Sequence, residues 1–358
     1  MLTLEPRPDF DRIRTTLRGG QADRVPVMEL GVDRPVKEAF LGRPLASAED
    51  EAEFWLRAGY DCYCLWPGVN VNPAGRPPRE GRRVGLRHSE YSDEPVERQW
   101  RCERAGCITS MDDFREHVWP EIGQFHDGGI EAHAAALPEG MKLIPVTVLH
   151  EHVATLLGTE TLLMSIYDDP ELVAATYQKV GERTVPIYEK LAAHPAVGAL
   201  WIGDDLAYTE GMFFSPDFVR QHIFPWYAQI AEIARAHDLP LIFHSDGDIR
   251  PVIPDLLQMG FSAIHPIEPK GMDLAEIKRD FGDRLCLIGN IDLCYTLPRG
   301  TPAEVEAEVK LRISQAGPGG GYCVSSANSV TEYVPLRNFE AMVEATYKHG
   351  RYPLALES

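Results

Sequence analysis

Residues 240–266 read PLIFHSDGDIRPVIPDLLQMGFSAIHP, and this stretch decides the fold class. Two short apolar runs, PLIFH and SAIHP, flank a longer segment that closes at Gly260. Short apolar runs bounded by turn residues and separated by amphipathic stretches mark parallel strands alternating with helices. Gly260 stands where the intervening helix should end. Working outward, the pattern recurs at Ala199–Gly203, Leu143–Val148, Asp61–Trp66 and Val25–Leu30 on one side, and at Leu285–Gly289 and Gly321–Ser325 on the other. With Pro240–His244 and Ser262–Pro266 that makes eight runs, the number that closes a (β/α)8 TIM barrel. Helix starts fit between them at Ser215-Pro216 and Thr301-Pro302-Ala303-Glu304, and Gly317 supplies a second helix end.

A chain of 358 residues, 44% hydrophobic and 25% charged, can build one large core, so residues 1–358 are expected to form a single domain. The gap between the second and third runs is too long for one βα unit. Residues 67–140, with the Arg- and Gly-rich GRPPREGRRVGLRH, therefore read as an insertion of β-hairpin character over one end of the barrel. A net charge of -19 disfavours nucleic acid and anionic membranes as partners. No apolar run approaches the roughly 18 residues of a membrane span. Seven scattered cysteines without a CxxC pair, and the start MLTLEPRPDF, point to a cytoplasmic protein with reduced thiols.

In such barrels the loops after the strands build the active site. The residues following the runs are Glu29 and Asp33; His150, Glu151 and His152; Asp204 and Asp205; His244 and Asp246; His265 and Glu268; Asn290 and Asp292; then Ser325, Ser326 and Asn328. Helix capping accounts for Asp33, Asp205, Asp292 or Ser326 taken singly, but it does not call for histidine or glutamate. His244 and Asp246 lie two apart on an extended segment and so share a face. Such a pair can hold a metal or orient an imidazole for proton transfer, and a buried histidine bonded to its neighbour is the competing account. Asp204-Asp205 offers a general acid or base or a second carboxylate ligand. His150-Glu151-His152 is not HExxH, which leaves Glu151 as the pocket-facing member. Cys286 and Cys323 read as small core residues and Cys294 as a loop residue. GPGGGY enters a strand rather than a helix, unlike a phosphate cradle.

Four motifs in order, WIGDDLAYTEGMFFSPDFVRQHIFPWY, LPLIFHSDGDIRPVIPDLLQMGFSAIHPIEP, LIGNID and GGGYCVSSANSVTEYVPLRNFEAMVEA, resemble the uroporphyrinogen decarboxylase superfamily, which includes methylcobamide:coenzyme M methyltransferases. The resemblance implies a (β/α)8 barrel and a homodimer. For the methyltransferase branch it implies zinc held by a His-x-Cys pair and a distant Cys, and a corrinoid on a partner protein. His244 matches the histidine, Asp246 stands for the first cysteine, and Asn328 falls where the second belongs. The decarboxylase branch needs no cofactor. Its Arg-rich N-terminal segment, acid after the second strand and late histidine correspond here to VMELGVDRPV, a position near Gly68, and Asn328. The expectation is methyl transfer on a small molecule, with His244, Asp246, Asp205 and Glu151 catalytic and His244 and Asp246 holding a divalent metal. Asp204, His265, Glu268, Asn290, Asp292 and Asn328 are expected to bind substrate. Decarboxylation of a tetrapyrrole or other carboxylated substrate is the alternative, and a non-catalytic corrinoid or tetrapyrrole carrier the third reading.

Overall fold

The computed structural model describes residues 6–355, apart from the side chains of 81–88 and 94–102. Met1–Glu5, part of the stretch read for a leader, and the side chains of GRRVGLRH lie outside the described residues. The strands are β1 (Cys62–Leu65), β2 (Glu80–Ser89), β3 (Ser92–Ala105), β4 (Lys142–Thr147), β5 (Leu200–Gly203), β6 (Ala207–Tyr208), β7 (Gly211–Met212), β8 (Leu241–His244), β9 (Ala263–His265), β10 (Cys286–Ile291) and β11 (Tyr322–Ser326). Seven of them form one sheet in the order β1-β4-β5-β8-β9-β10-β11, and every neighbouring pair is parallel. Helices connect them. Ser215 caps Pro216–His222 through its side chain, Thr301 makes a capping box with Glu304, and Gly260 closes its helix in the left-handed region.

Val25–Leu30 departs from the reading of eight strands, because only isolated bridges form there. Val27 pairs with Val324 in parallel, with Met28 N donating to Val324 O and Val324 N to Pro26 O. Pro26 has no N–H to extend the ladder, and Val25 N donates instead to Gly350 O. The side chains still follow a strand's logic. Met28 and Leu30 join an inner apolar cluster with Cys62, Ile144, Val146, Trp201, Ile242, Ala263, Ile288 and Cys323, while Val25 and Val27 join the larger outer cluster under the helices. Phe10, Ile13 and Leu17 of the helix Phe10–Leu17 complete the inner cluster. The sheet is therefore curled around an apolar filling, with its outer face buried as well.

Between β1 and β4, strands β2 and β3 form an antiparallel ribbon, followed by the short helices Met111–Glu116 and Ile130–Ala136. The ribbon's turn reaches the chain after β11: Glu90 N and Ser89 Oγ donate to Glu332 O, and Tyr91 Oη to Val334 O. No helix among the described residues is long and apolar enough to cross a membrane. Cys62, Cys64, Cys286, Cys294 and Cys323 are free thiols, and Cys286 and Cys323 are buried in the core as expected.

At the start of β1, Asp61 is fully buried and accepts from Arg12 Nη1 at 2.6 Å, Arg24 Nη2 at 3.3 Å and Asp9 N at 2.9 Å. Removing one member of a buried ion cluster leaves charges uncompensated and costs about 3–5 kcal/mol. Asp61→Asn is expected to lower the urea midpoint by that amount of stability with an unchanged slope; an unaltered midpoint would deny the cluster its structural role.

Candidate active site

Side chains along a strand alternate faces, so a residue two positions beyond an inner-cluster member also points inward. Ile242, Ala263 and Cys323 belong to the inner cluster, and two positions on stand His244, His265 and Ser325, at the C-terminal ends of β8, β9 and β11. The register pairs His244 with His265. These polar groups form a layer above the apolar filling and are buried there. His244 Nδ1 and His265 Nδ1 are 2.7 Å apart, His265 Nε2 lies 3.3 Å from Ser325 Oγ, and Ser325 Oγ donates to Glu29 Oε2 at 3.2 Å. Burial pushes both histidines below their usual pKa, so both are neutral near pH 7.

The other nitrogen of His244 faces acids. Nε2 lies 3.5 Å from Asp205 Oδ1 and 3.9 Å from Asp246 Oδ1, too far for normal hydrogen bonds. One ligand atom from each of the three residues falls within 4.8 Å of the others, which makes a candidate cation site. Asp205 Oδ1 accepts from Asp246 N at 2.9 Å, and Asn328 Nδ2 donates to both Asp246 oxygens at 2.9 Å. Burial, with the nearby charges of Asp205 and Glu268, raises the Asp246 carboxyl, and the Asn328 amide opposes this. Gly247 turns the chain at φ 77°, its N–H donates to Glu268 Oε2, and a Cβ there would sit 2.4 Å from Tyr208 O. That is why a glycine follows Asp246.

A cavity of about 400 Å³ opens beside the cluster, lined in part by Asp246, Glu268, Lys270, Asp292, Cys294 and Asn328. Five of those six were singled out from sequence or noted as loop residues. Lys270 was missed, although it lies two residues past Glu268 in the same loop. The Lys270 ammonium is raised by the hydrogen bond it donates to the Cys294 side chain. Asp292 also receives the N–H groups of Cys294, Tyr295 and Thr296.

The remaining predicted residues sit elsewhere. Asp204 is fully buried and spends its oxygens on Leu149 N, Glu151 N and, at 2.7 Å, Tyr227 Oη, so it braces the start of the helix His150–Leu157. Glu151, half-buried in that first turn, does not line the cavity. His150 is buried against Tyr177 Oη at 2.7 Å, and burial lowers His152 to about 4. Asn290 is buried and donates to Ile267 O at 2.8 Å. Asp33 precedes the helix Arg34–Leu41 and accepts from Glu332 N. Arg34 is an exposed partner of Glu38.

A curled parallel sheet with acids and imidazoles gathered at the C-terminal ends of its strands defines an α/β protein, and those ends are where such folds place their sites. Residues 144–349 match the family described as Uroporphyrinogen decarboxylase (URO-D), and the chain belongs to it. The methylcobamide:CoM methyltransferase MtaA of Methanosarcina barkeri is 27% identical over 158 residues, 44% of either chain. A uroporphyrinogen decarboxylase of Chlorobium limicola is 24% identical over 184 residues, 50% of either. The matches thus span about half the length of these curated relatives or less. The fold is shared with a methyltransferase from Methanosarcina mazei at a TM-score of 0.66 and 17% identity, over 94% of this chain and 97% of that one.

Two measurements follow from this geometry. Asp204→Ala strands two backbone donors and a tyrosine hydroxyl and is expected to cost about 3 kcal/mol or more, whereas Asp205→Asn should leave the melting temperature nearly unchanged; equal effects would contradict the division. Burial raises Glu29 from 4.5 to about 8, against hydrogen bonds from Ser326 and Ser325. Between those values the folded chain keeps a proton that the unfolded chain has lost, so this group's contribution to stability falls with rising pH, by at most about 1.4 kcal/mol per unit. Unfolding titrations should therefore show Glu29→Gln gaining on the wild type from about pH 5 to about pH 8; a constant difference would refute the assignment.

Proposed function

We propose that the chain is an enzyme that moves a methyl group between a corrinoid or methylated small molecule and an acceptor, at a divalent cation held by Asp205, His244 and Asp246. The observation that carries this reading is the His244 Nε2 atom facing two carboxylates at 3.5 and 3.9 Å. A tetrahedral zinc ion with bonds of about 2.0–2.2 Å separates its ligand atoms by roughly 3.3–3.5 Å, so the residues fit the group after small adjustments. When bound, such a cation supplies the positive charge that keeps an acceptor thiol deprotonated and nucleophilic.

The chain's own residues do the rest. Asn328 holds the Asp246 carboxylate in one orientation, Asp205 anchors the backbone at Asp246, and the raised Asp246 carboxyl can exchange a proton with a bound acceptor. Lys270 and Cys294 stand across the cavity. In this proposal Val25–Leu30 closes the sheet into an eight-membered barrel, supported by Met28 and Leu30 in the inner cluster. Residues 67–140 are an insertion within the single domain 1–358, supported by the contact of Ser89, Glu90 and Tyr91 with residues 332–334 near the cavity wall. A corrinoid protein, as the name of the Methanosarcina barkeri relative suggests, and a second copy of the chain are the proposed partners.

The cavity's charge weighs against decarboxylation of a polycarboxylate. Asp246, Glu268 and Asp292 line it against the single cation Lys270 among the described lining residues, so a substrate bearing several carboxylates would meet net repulsion. A neutral or cationic methyl carrier suits the site better. Protein purified without chelator is expected to carry close to one zinc or similar ion per chain by elemental analysis, and His244→Ala to lose it together with activity. Absence of metal with full activity in His244→Ala would overturn the reading. Incubation with uroporphyrinogen is expected to yield no coproporphyrinogen, and its formation would establish the decarboxylase alternative.

A further inference from the structure

The mechanism proposed above leaves unused a fully buried carboxyl, Glu29, that is joined to the site by side chains alone. Along that path the hydrogens can point all one way or all the other, which gives two arrangements. Two neutral imidazoles have one N–H each, and the His244 Nδ1 to His265 Nδ1 contact of 2.7 Å holds one proton. With that proton on His244, His265 carries its own on Nε2 and donates to Ser325 Oγ. The Ser325 hydroxyl then donates to Glu29 Oε2, the direction that an ionised Glu29 carboxylate, which can only accept, requires. The Nε2 lone pair of His244 is then bare and faces Asp205 and Asp246. With Glu29 protonated and donating to Ser325, every bond reverses, and His244 carries its hydrogen on Nε2, in the space a cation would occupy.

We infer that Glu29 is a positioning residue which, acting through Ser325 and His265, decides which ring nitrogen of His244 carries the proton, and hence whether His244 Nε2 is free to take a cation. The tautomer link stands on the hydrogen-bond chain; its consequence for the cation rests on the proposed function. Going from the second arrangement to the first releases one proton in all, since each shared hydrogen shifts one place away from Glu29 toward His244 and the Nε2 hydrogen leaves to solvent. Second-layer partners of metal-binding histidines act by fixing the tautomer in this way, but here the partner lies three side chains from the ligand.

The neighbourhood suits a group that changes state. Burial raises Glu29 to about 8, within reach of ordinary conditions. The titratable groups facing it are Tyr60 and Cys64, whose own ionisation burial pushes further up; the Cys64 thiol donates to the Glu29 backbone carbonyl at 3.4 Å. Ser326 N donates to Glu29 Oε1 at 2.8 Å and Ser326 Oγ to Oε2 at 2.7 Å. The backbone donor fixes the outcome of one substitution. In Glu29→Gln the amide oxygen must stay on Ser326 N, so the amide NH2 takes the place of Oε2 and donates toward Ser325. Ser325 then donates to His265, and the chain is locked with the hydrogen on His244 Nε2.

The test is nitrogen NMR of histidine-labelled, chelator-treated protein at about pH 9, with His244 assigned from the signals missing in His244→Gln. The wild type is expected to show His244 protonated on Nδ1 and Glu29→Gln to show it on Nε2, with circular dichroism of the two alike. Ser325→Ala, which cuts the chain, should abolish the dependence on residue 29 in a Glu29→Gln/Ser325→Ala pair. Zinc calorimetry is expected to show affinity about 10–100-fold weaker in Glu29→Gln. The same His244 tautomer in wild type and Glu29→Gln would overturn the inference, whatever the zinc result. A tautomer change without zinc binding to the wild type would uphold it while removing the cation from the proposed function.

Discussion

Two ring nitrogens 2.7 Å apart, one on His244 and one on His265, can share a single proton, and the polar arrangement at the strand ends hangs on that constraint. Both rings are buried and neutral, so neither can escape the shared contact by taking up a second hydrogen. What His244 presents to Asp205 and Asp246 is therefore set from behind, by the ring nitrogen bonded to His265. The apolar layer beneath, with Trp201 edge-on to the His265 ring at 5.2 Å, excludes water that would otherwise offer alternative partners. A polar network of this kind is rigid only because it is fully enclosed.

That enclosure follows from strand geometry. Alternation places Ile242 and His244, Ala263 and His265, and Cys323 and Ser325 on the same inward face, one layer apart. The lower member of each pair builds the core and the upper one the network. Asp205, Asp246 and Asn328 come from the loops just beyond, where the chain has left the pleat and can turn toward the cavity. Stability and function are thus stacked along the same strands. The ion cluster at Asp61 secures the opposite end of the sheet, where Arg12 also brings in the helix that fills the inner core.

Much of this was legible in the sequence because seven of the runs are apolar and short enough to be nothing but buried strands. Val25–Leu30 misled in its hydrogen bonding, since Pro26 breaks the ladder, but its side chains are buried as the run implied. The ring of strand-end polar residues was legible as a set, and its division was not. Asp204 and Asp205 are adjacent and chemically identical, yet one braces a helix and the other faces His244. Beyond the end of β5 no alternation tells which carboxylate turns inward. His265 and Asn290 continue the inward face of their strands but stay beneath the cavity floor. Lys270 and Cys294 meet only because two loops converge, and a pattern read along the chain carries no signal of that.

In the proposed site, Asp246 and Asn328 stand where the resemblance to the methyltransferases implies thiolates, and the two differences read together. A thiolate pair would bring its own charge and bind a soft ion without support. A carboxylate does so less strongly and has to be kept oriented, and Asn328 does this by donating to both of its oxygens. The amide also opposes, without cancelling, the rise that burial beside Asp205 and Glu268 imposes on the Asp246 carboxyl. A site with two carboxylates and one imidazole favours a harder cation than a thiolate site does, and its affinity leans more heavily on the imidazole being in the right tautomer. In the proposed cation site the buried path to Glu29 thus gains importance, since the one nitrogen donor among Asp205, His244 and Asp246 is the one whose lone pair that path is inferred to control.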